Sequence, residues 1–97
     1  LYQNEKEYLV MSDAIDTNQH TNNTQYIFWA TDTLPKEIKQ NYCPAHVLVN
    51  YMKETKEGDN VVSSAFTETS NEKVISLHRL TSGNKDVCKV KIEWLRQ

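Results

Sequence analysis

With 97 residues, 38% of them hydrophobic, and a mean hydropathy of -0.69, the chain has material for one domain and one core, and its polarity favours support from a partner subunit or second domain. Its 11 basic residues are scattered among 13 acidic ones, for a net charge of -2, which excludes the basic stripe of a nucleic-acid binder. No apolar run reaches the ~18 residues of a membrane span and no secretory signal is present, so a chain starting at Leu1 reads as a soluble, cytoplasmic fragment with no membrane partner.

Residues 7–12 read as a short strand, because Tyr8, Leu9, Val10 and Met11 form an apolar run. A polar loop follows over residues 16–23. From 22 to 34, Tyr26, Ile27, Ala30 and Leu34 recur at helical spacing with Phe28 and Trp29 beside them, which predicts a long helix, apolar over a wide arc and buried. Asn22 or Asn23 can cap it, and Pro35 ends it, leaving a separate turn over 36–40. Four β segments follow at 45–55, 60–69, 73–81 and 87–95, each pair separated by a short turn signal, which predicts an antiparallel meander. In the last, Cys88, Val90, Ile92 and Trp94 alternate with Val87, Lys89, Lys91 and Glu93, giving one core face and one largely wet face. The economical packing is α+β: a five-stranded antiparallel sheet wrapped around one long central helix, the hotdog arrangement.

The remaining punctuation is uninformative. Cys43 and Cys88 lack metal-ligand spacing and read as reduced thiols, and Gly58 and Gly83 alone cannot build a phosphate loop. The sequon Asn22-Asn23-Thr24 matters only in a secreted protein. His46 and His78 read as strand histidines with satisfied hydrogen bonds.

Chemistry concentrates in the loop, where Asp16, Asn18 and His20 stand two residues apart just before a helix whose first N–H groups are free. These types can orient a carbonyl, hold a water and move a proton; on spacing alone they more often make a solvated loop with an N-cap. No metal is expected, since an EF-hand would want Gly and a bidentate Glu where Thr21 and Ile27 stand. Glu54, between Lys53 and Lys56, reads by itself as a surface charge at a strand end.

Residues 12–29 resemble the Asp-x-Asn-x-His-x-Asn-Asn-x-x-Tyr signature of acyl-[acyl carrier protein] thioesterases, carried here by Asp16, Asn18, His20, Asn22, Asn23 and Tyr26. Tyr51-Met52-Lys53-Glu54, His78-Arg79-Leu80 and Ile92-Glu93-Trp94 resemble later segments of that family, in the family's order. The resemblance implies that residues 1–97 are a single hotdog domain, the C-terminal half of a tandem double-hotdog protein. It implies hydrolysis of fatty acyl thioesters of acyl carrier protein to free fatty acid, without cofactor or covalent intermediate. Asp16, Asn18, His20 and Glu54 would then be catalytic, and Thr21, Asn22, Asn23 and Tyr26 would bind substrate, with backbone N–H groups of 21–23 facing the carbonyl. The implied partners are acyl carrier protein bearing a phosphopantetheine-linked acyl chain and a second hotdog unit, as a homodimer or a missing N-terminal domain.

Three positions depart from the family pattern. Gln19 replaces a usual Gly, Met11 stands where Arg is common, and Thr55 follows Glu54 where some members carry Cys, which leaves no thiol there for a nucleophile. The alternatives are an acyl-CoA thioesterase of the same fold and a noncatalytic acyl-binding or structural half.

Overall fold

Alternating side chains build the sheet and helical spacing builds what lies on it. The computed structural model describes residues 2–97, with β1 (Asn4–Leu9), a 3-10 turn (Ser12–Ala14), α1 (Asn23–Asp32), α2 (Lys36–Asn41), β2 (Tyr42–Tyr51), β3 (Asn60–Ser70), β4 (Lys73–Ser82) and β5 (Lys85–Arg96). The five strands form one antiparallel sheet in the order β1-β3-β4-β5-β2, with α1 on its core face. This is the α+β hotdog architecture.

The expected meander holds only for β3, β4 and β5. Gly83 and Asn84 join β4 to β5 with both φ angles positive (58° and 65°), the mirror-image turn whose twist matches that of the strands. The connection from β2 to β3 is no hairpin: β2 pairs with β5, matching Val47 to Ile92, Val49 to Val90 and Tyr51 to Cys88. Residues 52–59 instead cross the end of the sheet. Met52 and Lys53 donate their N–H groups to the Val87 carbonyl at 2.8 and 3.1 Å, and at the far side Gly58 N–H reaches the Val10 carbonyl at 3.0 Å. Alternation assigns a residue to a face but not a strand to a neighbour, and turn signals at 56–59 serve a crossing as well as a hairpin.

Boundaries shift for physical reasons. β1 lies earlier than 7–12 because Val10, 1% exposed, turns into the core. β2 starts at Tyr42 and contains Pro44, which a sheet tolerates on an edge strand, with a bulge between Pro44 and His46. Helix α1 is short, 10 residues, and is not apolar-buried all round: Tyr26, Trp29 and Ala30 face the sheet while Phe28 is exposed. Thr33 closes it, its hydroxyl donating to the Trp29 carbonyl (2.8 Å) and lying 2.8 Å from Ser63 Oγ.

The core joins Tyr26, Trp29, Ala30 and Leu34 to Val61, Ala65, Val74, Leu80, Val90, Ile92 and Trp94. Each large side chain buried there contributes roughly 1.5–3 kcal/mol of transfer free energy. Both cysteines are free thiols, Cys88 buried and Cys43 exposed. His78 is only half satisfied: Nε2 lies 2.8 Å from Ser76 Oγ, while the buried Nδ1 has no partner among the described residues. Among the described residues no helix is long and apolar enough to cross a membrane.

Candidate active site

The loop before α1 closes on Asp16. Its Oδ1 accepts the N–H groups of Asn18 (2.9 Å) and His20 (3.1 Å), its own N–H reaches the His20 carbonyl (2.8 Å), and Ile15 bridges Thr21. A short carboxylate bonding backbone N–H groups two and four residues on is what Asp does best in turns. The tight turn forces Gln19 to φ 69°, where Gly would be unstrained and any other residue meets its own Cβ. The Gly-to-Gln departure is therefore accommodated without changing the turn's hand.

Asn22 caps α1, its side chain accepting the N–H (3.1 Å) and hydroxyl (2.9 Å) of Thr24. Of the three N–H groups expected to face a carbonyl, Thr21's is spent on the Thr55 carbonyl and Asn22's on the Ala14 carbonyl, both at 2.8 Å. Asn23 N–H, at the first helical position, has no acceptor among the described residues.

The loop is pinned to the 52–59 crossing by hydroxyls. Thr21 Oγ1 lies 2.6 Å and the Tyr26 hydroxyl 2.8 Å from Thr55 Oγ1, and Thr55 N–H donates to the Tyr26 hydroxyl at 3.1 Å. All three residues are buried. Thr21 and Tyr26 thus direct their hydroxyls at the protein itself.

His20 and Glu54 meet across this seam, His20 Nδ1 3.1 Å from Glu54 Oε2, with side chains 46% and 67% exposed. A carboxylate can only accept, so the hydrogen in this contact sits on His20 Nδ1. Two concavities share Glu54 and Lys53 in their walls. One, of about 410 Å³, includes His20, Lys56 and Asp59; the other, of about 300 Å³, includes Asn23, Tyr51 and Met52. Asn18 is exposed at the loop tip, and Asp16 is half-buried with its carboxylate on the backbone.

Tyr51 is a lining residue that sequence reasoning passed over. Its hydroxyl donates to the Asn23 carbonyl at 3.3 Å, and burial, the main cause, raises its pKa, so it stays a neutral donor. Its signal was available: an aromatic on the core-facing parity of β2, three residues before Glu54.

Residues 2–96 match the model of the acyl-ACP thioesterase C-terminal domain. The chain belongs to this family. As a member, it is 36% identical over 63 residues, 65% of the chain, to the chloroplastic oleoyl-acyl carrier protein thioesterase 2 of Arabidopsis thaliana, of which it covers 17%. Among solved structures, it superposes on a Lactobacillus plantarum oleoyl thioesterase with a TM-score of 0.89 and 33% identity, over 95% of the chain and 37% of that protein. The 12:0-ACP thioesterase of Umbellularia californica gives a TM-score of 0.93 at 20% identity, covering 99% of the chain and 36% of that protein, a likeness of fold. This acyl-ACP thioesterase C-terminal domain thus spans about a third of the length of those two proteins.

Proposed function

We propose that this chain is the C-terminal hotdog unit of an enzyme that hydrolyses fatty acyl thioesters of acyl carrier protein, with His20 and Glu54 activating water. The observation that carries the reading is the 3.1 Å contact of His20 Nδ1 with Glu54 Oε2 beside a concavity that also meets the N-terminus of α1. Glu54 fixes the imidazole so that Nε2 takes a proton from water as its oxygen attacks the acyl carbonyl carbon. Asn23 N–H donates to the oxyanion that forms. Collapse of the tetrahedral intermediate breaks the C–S bond, and the proton on Nε2 passes to the departing thiolate. Asp16 holds the loop in shape, and the Asn18 amide at its tip orients the water or the carbonyl.

What surrounds the site supports this reading of carrier and companion. Lys53 and Lys56 line the concavity that includes His20 and offer positive charge to an acidic carrier. The core face of β2 continues past α1 with Val47 and Tyr51 still 49% and 44% exposed, and β2 is a free edge, which supports pairing with a second hotdog unit there.

The test is hydrolysis by the full-length protein of one acyl chain carried on acyl carrier protein and, side by side, on coenzyme A. His20→Ala and Glu54→Ala should each lower turnover by about 100-fold or more while circular dichroism stays unchanged. Near-parental turnover in either folded variant removes the assignment, and equal rates on both carriers remove the carrier preference.

A further inference from the structure

We infer that Thr55, through Tyr26 and Thr21, is a positioning residue that sets the register of His20 against Glu54, an inference that rests on the reading of that pair as the water-activating one. His20 and Glu54 come from segments 34 residues apart, and both side chains are exposed, so their own contact is too weak to hold a geometry in water. Each is followed directly by a threonine that is almost wholly buried, Thr21 at 3% exposure and Thr55 at 2%.

Those two threonines are joined twice, through Thr21 N–H to the Thr55 carbonyl at 2.8 Å and between their hydroxyls at 2.6 Å. Tyr26, 1% exposed on α1, adds two more bonds, its hydroxyl meeting Thr55 Oγ1 at 2.8 Å and accepting Thr55 N–H at 3.1 Å. With water excluded, such bonds persist and reinforce one another. Thr55 Oγ1 has two hydroxyl neighbours, and only a group that donates to one while accepting from the other joins both. The loop, the helix and the crossing segment therefore converge on one side chain, one residue from Glu54. A valine there keeps the shape and the two bonds made by the Thr55 backbone, and loses the two made by its hydroxyl. A serine keeps them.

The experiment is a double-mutant cycle in the full-length enzyme, following kcat and KM with an acyl-carrier-protein thioester. Thr55→Val should lower kcat about 10-fold or more with KM within about 2-fold, and Thr55→Ser should recover most of the loss. On a Glu54→Gln background the same Thr55→Val change should cost less than about 2-fold, because its effect passes through the pair already broken. An unchanged kcat in folded Thr55→Val overturns the inference, as does an equal fold-loss in both backgrounds, which is what a general structural role gives. If Thr55→Val does not fold by circular dichroism, Tyr26→Phe, which removes two of the four bonds, is read in the same cycle by the same criteria. An inactive His20→Ala beside a fully active Thr55→Val removes the positioning role and leaves the proposed chemistry standing. An active His20→Ala removes both.

Discussion

The two ends of the core face of this sheet carry the same alternation and meet different fates. On β3 and β4, against which α1 packs, Val61, Ala65, Val74 and Leu80 have no exposure, whereas on β2 the residues facing the same side, Val47 and Tyr51, remain close to half exposed. Helix α1, at 10 residues and 1.5 Å per residue, is about 15 Å long and cannot cover a whole five-stranded sheet. The covered end supplies stability, and the bare end leads straight into the segment that carries Glu54. The candidate site of this chain lies at the margin of its core.

The contrast can be broken by mutation. Leu80→Ala, beneath the helix, should cost about 2–5 kcal/mol in denaturant unfolding, because a closed core cannot collapse around the void. Val47→Ser should cost within about 0.5 kcal/mol in the isolated chain. If the full-length protein covers β2 with its companion unit, the same Val47→Ser change becomes distinctly more costly there, and an unchanged small value places the companion elsewhere.

Acid sharpens the comparison from the covered side. Burial pushes His78 down to about 4, so the folded protein keeps it neutral while the unfolded chain protonates it near its ordinary value of 6.5. Above pH 6.5 neither state is charged and nothing is lost. As the pH falls from 6.5 toward 4 the unfolded state alone gains the proton, and stability should drop by roughly 3 kcal/mol. Comparing unfolding of the parent and His78→Met at pH 7 and pH 4 checks this: the variant should lose less stability on acidification.

A small effect of the opposite sign lies in the loop at the bare end. Gln19→Gly removes the strain of a left-handed backbone and should raise stability by about 0.5–1 kcal/mol, reduced by the added freedom of the unfolded chain. A destabilised Gln19→Gly variant in urea unfolding would mean that the turn draws support from the Gln19 side chain.

Legibility followed sequence distance. The loop and the start of α1 were readable because Asp16, Asn18, His20, Asn22, Asn23 and Tyr26 lie within 11 residues and their bonds are local: the Asp16 turn and the Asn22 cap. Glu54 entered only through family resemblance, since nothing near it distinguishes it from a surface charge. That Thr21 and Tyr26 turn their hydroxyls to Thr55 was hidden, because a hydroxyl's partner 29 or 34 residues away leaves no periodic trace.

By itself, then, the sequence determined one α+β domain, the identity of most elements, the face each strand residue takes and the polar loop ahead of a helix. These depend on backbone dihedrals, side-chain periodicity and capping, which act over a few residues. The tertiary structure decided that β2 pairs with β5, that α1 covers only one end of the sheet, that the Asn23 N–H meets no acceptor among the described residues and that Glu54 arrives beside His20. Those outcomes depend on how many segments fit together at once, and local pattern does not encode such a collective minimum.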